Sequence, residues 1–218
     1  MANLSVIVLA SSIAVSLLSG RSTLSSIPKI TLGLMLWTFI SSSIIDSTHI
    51  YEESKGLLLN TTLDETAVIL RLLWRNWIVL LHNFIVVVIV FALFRREAIL
   101  KSLLVLPLSV LTALILIFPT MLISRLVYWK ADLRAIVPPL VQFVFFLTPV
   151  LWIAPKSGAG RILLELNPAA WILHLAEQLI LGGSTSWEYL FRVGLLFFVS
   201  LLLAELANRT HGSLKKRL

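Results

Sequence analysis

Charged residues fall along this chain in clusters, and the stretches between them are almost wholly apolar. Five stretches of 16 or more residues carry no Asp, Glu, Lys or Arg: residues 1–20, 30–45, 76–94, 102–124 and 135–155. A helix that crosses a bilayer needs about 20 mostly apolar residues, because each adds about 1.5 Å against a hydrocarbon core about 30 Å thick. The first, third, fourth and fifth stretches reach that length, and the second reaches it by running past Asp46 toward Tyr51. A sixth candidate runs from Trp187 to Leu206, with Glu188 and Arg192 near one end and Glu205 near the other. The pattern predicts an all-α, polytopic membrane protein. Its six transmembrane helices fall over residues 4–20, 30–50, 77–94, 102–126, 136–153 and 187–206, in a single domain covering 1–218.

Between the fifth and sixth spans the pattern shortens. Asn167 suits an N-cap and Pro168 a first turn, while Gly182-Gly183 suits a helix end. The intervening helix of about 14 residues is roughly 21 Å long, too short to cross. It also carries His174 and Glu177. It is expected to be re-entrant or interfacial, with 158–166 as the other arm of a helical hairpin.

Composition agrees. Apolar residues make up 58% and charged residues 13%, against about 45–50% and about 25% in soluble domains. This excludes a disordered chain and disfavours an ordinary soluble enzyme. No cysteine is present, which excludes disulfides, Cys-ligated metals and a Cys nucleophile. The net charge of +7 is scattered between apolar runs, so it reads as membrane-flanking charge, not a nucleic-acid surface. The first run has no preceding basic residue and no small-x-small cleavage site, so it reads as a span in preference to a signal peptide. The basic tail (Arg209, Lys215, Lys216 and Arg217) places both termini in the cytoplasm. The 18 Lys and Arg otherwise divide almost evenly between the two sides. Arg95, Arg96 and Lys101 would face outward, so charge alone does not fix orientation.

The longest polar connection, 51–76, holds Glu52, Glu53 and Lys55 and then the capping box Thr62-Leu63-Asp64-Glu65. A helix is expected to start near Thr62 and run into the third span, with Arg71 and Arg75 favourably placed in the helix dipole. Trp74 and Trp77 beside these arginines read as a membrane-interface anchor. The second connection, Tyr128–Arg134, carries Lys130, Asp132 and Arg134. Pro138-Pro139 fits the first turn of the fifth span, and Pro149 should bend or end it. Both connections read either as plain surface segments or as docking elements for a cytoplasmic partner. Within the spans, His82-Asn83 is expected to make an interhelical hydrogen bond, with a functional polar site as the alternative. Asp46 and His49 form a polar pair at i, i+3. Pro107 and Pro119 argue for kinks or breaks in the fourth span.

No Walker A, His-Glu-x-x-His or Gly-x-Ser-x-Gly pattern occurs. His49, His82, His174 and His211 show no metal-ligand spacing. The chain is therefore expected to be no enzyme and to hold no metal or cofactor. Trp37, Phe39, Phe143, Phe145, Phe146 and Trp152 either stack on sugar rings in a channel or face lipid and the interfaces.

A resemblance adds to this reading. Leu36-Trp37-Thr38-Phe39, Arg75-Asn76, His82-Asn83, Lys130-Ala131-Asp132-Leu133-Arg134, Phe145-Phe146-Leu147-Thr148-Pro149-Val150, Asn167-Pro168 and Leu181-Gly182-Gly183 follow one another over residues 30–185. In this order they resemble the permease subunits of ABC-2 type polysaccharide exporters, which serve O-antigen, capsule and teichoic acid. The resemblance implies a six-helix permease of the bacterial inner membrane, acting as a homodimer on a lipid-linked glycan. A separate cytoplasmic subunit would bind ATP and Mg. It also implies coupling to that subunit through Glu52, Glu53, Lys55, Lys130, Asp132 and Arg134. An aromatic channel built from Trp37, Phe39, Phe145, Phe146 and Trp152 is implied as well. The chain departs from the family in starting with an apolar run in place of a basic amphipathic helix, and in reading Asp-Leu-Arg where Arg-Asp-Leu is expected. Other readings are an ABC-2 type lipid or drug exporter, a membrane acyltransferase using His82 or His174, or a structural membrane protein.

Overall fold

A computed structural model describes residues 23–56, 65–151, 159–182 and 187–210. The expected first span, the capping-box residues before Glu65, Trp152 and the basic tail after Thr210 lie outside the described residues. All regular structure described is helical. In chain order the helices are α1 (Thr23–Ser47), α2 (Ile50–Glu53) and α3 (Glu65–Phe94), then a short 3-10 turn (Arg96–Ala98) leading into α4 (Ile99–Ser102). There follow α5 (Val105–Trp129), α6 (Leu133–Leu147), α7 (Ala159–Leu166), α8 (Pro168–Leu181) and α9 (Trp187–Thr210).

Four helices are long and apolar enough to cross a bilayer: Ile27–Ser47, Glu65–Phe94, Val105–Trp129 and Trp187–Ala207. This is the signature of a membrane-embedded chain. They correspond to the expected second, third, fourth and sixth spans. α3 continues from the polar connection into the apolar run as one 30-residue helix, about 45 Å long and so longer than the hydrocarbon core. α5 runs unbroken through Pro119. Pro107 sits in its first turn, where a missing N–H costs nothing, so the expected break is absent. α6 has only 15 residues and is shorter than the 136–153 expected. Thr148 precedes Pro149 and takes an extended conformation, φ −94° and ψ 132°, as the steric clash with a following proline requires.

α1 lies at the centre, packed against α3, α5, α6 and α8, while α9 packs on α5 and α8. Ile30, Leu32, Met35, Leu36 and Phe39 of α1 meet Ile69, Leu72, Leu80, Val87 and Phe91 of α3 and Met121 of α5 in the core. From Thr31 onward the serines and threonines of α1 donate to backbone carbonyls of their own helix. Thr31 Oγ1 donates to the Ile27 carbonyl, Thr38 to Leu34 and Ser43 to Phe39, each at 2.7 Å. Gly33 lets the chain after α6 approach closely: a Cβ there would stand 3.2 Å from Val150 Cγ1.

α7 and α8 follow one another across Asn167 and pack together. The Asn167 side chain accepts from the Ala169 and Ala170 amides as N-cap and donates at 2.8 Å to Thr148 Oγ1, tying the end of α6 to the start of α8. Gly182 closes α8 with φ +89°, a left-handed value that a side chain disfavours.

Candidate coupling surface and polar clusters

The two polar connections fold onto each other at one end of the bundle. Only Thr48 and His49 separate α1 from α2, so α2 turns directly beneath the end of α1. Tyr51 is buried edge-on against Tyr128, with ring centres 5.7 Å apart. Glu52 pairs with Arg134 at 2.5 Å. The Arg134 hydrogen bond holds the exposed Glu52 carboxyl below the usual range, against a small opposing desolvation. Arg75 reaches Asp46 at 3.0 Å and Glu53 at 3.7 Å. Asn76 donates to Asp46 at 3.1 Å. Lys55, Lys130 and Asp132 are exposed around this seam. Tyr51 Oη and Arg134 Nε are buried without a hydrogen-bond partner among the described residues, an uncommon condition for buried donors.

Below the seam lies a pair that the sequence reading missed. Arg125 donates to Glu65 from Nε at 2.9 and 3.1 Å and from Nη2 at 2.6 Å, and from Nη1 to the Ala207 carbonyl at 3.3 Å. Its side chain is 10% exposed and that of Glu65 14%. One fork thus joins the start of α3, the end of α5 and the end of α9. Glu65 read as a helix-capping residue and Arg125 as a flanking charge. The signal available was that antiparallel neighbours place an acid in the first turn of one helix and a base near the end of the other at one depth.

At the opposite end, Lys29 of α1 pairs with Glu177 of α8 at 2.8 Å. His174 lies 3.9 Å from Glu177, shares a hydrogen bond with Gln178 at 3.1 Å, and packs edge-on against Tyr189 with ring centres 4.5 Å apart. Burial lowers its pKa from the ordinary value. Glu177 opposes this and Lys29 adds to it. Arg192 pairs with Glu188 and covers the Trp171 ring at 5.2 Å.

Among the described residues His82 makes no interhelical hydrogen bond. It is exposed, and its Nδ1 bonds the Ile78 carbonyl one turn back at 2.8 Å, whereas Asn83 points inward and is buried. Asp46 takes Arg75 and Asn76 as side-chain partners across helices, and His49 is exposed. Trp74 is 60% exposed and its ring lies 5.2 Å from that of Trp77. Trp77 is anchored by Nε1 to Ser109 Oγ at 2.9 Å. Arg71 is exposed beside them. Of the aromatic set, Phe39 belongs to the core and Trp37 is buried against Phe145 at 5.5 Å, while Phe146 is 64% exposed. Trp37 also lines an apolar cavity of about 380 Å³ between α1, α5 and α6. Among the described residues no cluster of three or more His, Asp or Glu could hold a metal. No family model matches the chain, and no characterised protein matches it.

Proposed function

We propose that this chain is the membrane-spanning permease of an ATP-driven ABC-2 type exporter, moving a lipid-linked polysaccharide outward across the bacterial inner membrane. It has six spans, with residues 4–20 and α6 as the first and fifth, and α7–α8 as a re-entrant hairpin on the outer side. It works as a homodimer. α6 offers its apolar faces to the second copy, since none of its residues is fully buried among the described residues. ATP and Mg bind a separate cytoplasmic subunit that docks on the α2 and α5–α6 seam.

The observation that carries this reading is the Glu52–Arg134 and Tyr51–Tyr128 junction. Two charged connections remote in sequence form one surface at one end of an apolar bundle. A rigid surface of this kind can receive a push and pass it to α1, α5 and α6 together. The test is affinity purification of the tagged chain from native membranes in mild detergent, with ATPase assay of the eluate. A stoichiometric ATP-binding subunit, lost on charge reversal at Glu52 and Glu53, is the expected result. A chain that elutes alone without ATPase in every lipid condition overturns it.

A further inference from the structure

A second apolar groove lies on the outward side of α3 and α5, away from α6. Its volume is about 270 Å³, and its walls are Leu70, Leu73, Trp74 and Trp77 on α3 and Ala113 and Leu114 on α5. From Leu70 to Trp77 it runs about 10 Å along the helix. The back wall is fixed, because Trp77 is held by its bond to Ser109. The rim is open: Leu70 is 44% and Trp74 60% exposed. The residues lining the groove are uncharged, and Arg71 follows Leu70 in the chain, one turn from Trp74 on α3. Among the described residues Arg71 is exposed and forms no ion pair, whereas Arg75 is engaged by Asp46 and Glu53.

We infer that this groove is a binding site for an anionic phospholipid, its acyl chain lying between α3 and α5 and its phosphate on Arg71. Tryptophan rings settle at the headgroup level of a bilayer, with the apolar body inward. Trp74 and Trp77 therefore set the depth at which Arg71 meets phosphate and the groove meets hydrocarbon. Anionic headgroups attract such a juxtamembrane cation. The cavity beside α6 is lined by equally uncharged side chains, and the arginine that follows its Leu133, Arg134, is already engaged by Glu52. The assignment does not depend on the export reading.

The test reconstitutes the full chain in phosphatidylcholine vesicles holding a small fraction of brominated-chain lipid, either phosphatidylglycerol or phosphatidylcholine. Tryptophan fluorescence is read, and the Trp74 and Trp77 share is isolated by difference from the Trp74→Phe/Trp77→Phe variant. The expected result is quenching of this share at a several-fold lower mole fraction of brominated phosphatidylglycerol than of brominated phosphatidylcholine. Arg71→Gln, an exposed substitution that leaves the groove intact, should make the two lipids equal while quenching persists. Equal quenching by both lipids in the unaltered chain, or a preference that survives Arg71→Gln, overturns the proposal. Quenching by neither lipid also overturns it, because a second protein copy would then cover the groove.

Discussion

α1 and α9 are both apolar helices of spanning length, yet they occupy opposite environments. The spanning part of α1 has a mean hydropathy of 1.4 and is 61% buried within the protein, while that of α9 has 2.1 and is 17% buried. The less apolar helix is the central one. In water the order would be reversed. In a bilayer, lipid is as good a solvent for Leu and Phe as a protein core is, so the helices that need company are those with hydroxyls and small residues. α1 carries Thr31, Thr38, Ser41, Ser42 and Ser43, and Gly33 permits the close contact at Val150. α9 shows Phe191, Phe198 and Leu202 outward.

The sharpest way to break this contrast is at the charged fork. Arg125→Ala leaves Glu65 with no cation in a site where both side chains are largely buried. It should cost about 3–5 kcal/mol, read as reversible unfolding in mixed SDS and mild-detergent micelles. Glu65→Gln in the same background should recover part of that loss. A loss below about 1 kcal/mol would mean that water reaches the pair.

Next comes truncation on each helix. Met35→Ala in α1, where the side chain is fully buried, should cost about 2–5 kcal/mol. Leu202→Ala in α9, 61% exposed, should stay within about 0.5 kcal/mol. Equal losses would mean that α9 is covered in the membrane by another protein surface. Asp46→Ala should cost about 1 kcal/mol, the scale of one interhelical polar contact, by releasing Arg75 and Asn76.

The smallest effects are pH-dependent and distinguish the two ends. Glu52 has a lowered folded pKa. Its pairing with Arg134 is therefore present above the ordinary value of 4.5 and lost as pH falls through the depressed value. Docking of an ATPase on this seam should weaken only in that acidic window, as read by co-purification. His174 is also lowered, from 6.5, but for the opposite reason: its neutral form is the one that burial accepts. Acidifying below 6.5 favours the unfolded state, which takes the proton more readily. His174→Gln should flatten the stability profile there while leaving the acidic effect at Glu52 unchanged.

Much of the helical frame was legible in the sequence because it rests on local rules. Uncharged run length gave α1, α3 and α5, an apolar run with charges near both ends gave α9, and Asn167-Pro168 with Gly182 bounded α8 to the residue. The end of α6 was overestimated, since Pro149 was weighed as a bend or an end and Thr148 before it decided for an end. The candidate site was legible residue by residue but not as pairs. Nothing in the spacing of Glu52 and Arg134, or of Glu65 and Arg125, says that they meet, because their distance is set by how α1, α3 and α5 pack. His82 shows the converse. A polar residue inside a span was expected to bond another helix, and the partner found for it among the described residues is the backbone one turn back.

The Arg125 fork also bears on how the chain assembles in its membrane. Glu65 and Arg125 are synthesised before the helix that carries Ala207, so during synthesis the arginine has its carboxylate but not its carbonyl. α9, made after both, supplies that acceptor. Completion of the fork therefore registers that insertion of the earlier helices has been followed by docking of α9. A chain stopped short of Ala207 keeps the Arg125–Glu65 pair but leaves one guanidinium N–H without this acceptor.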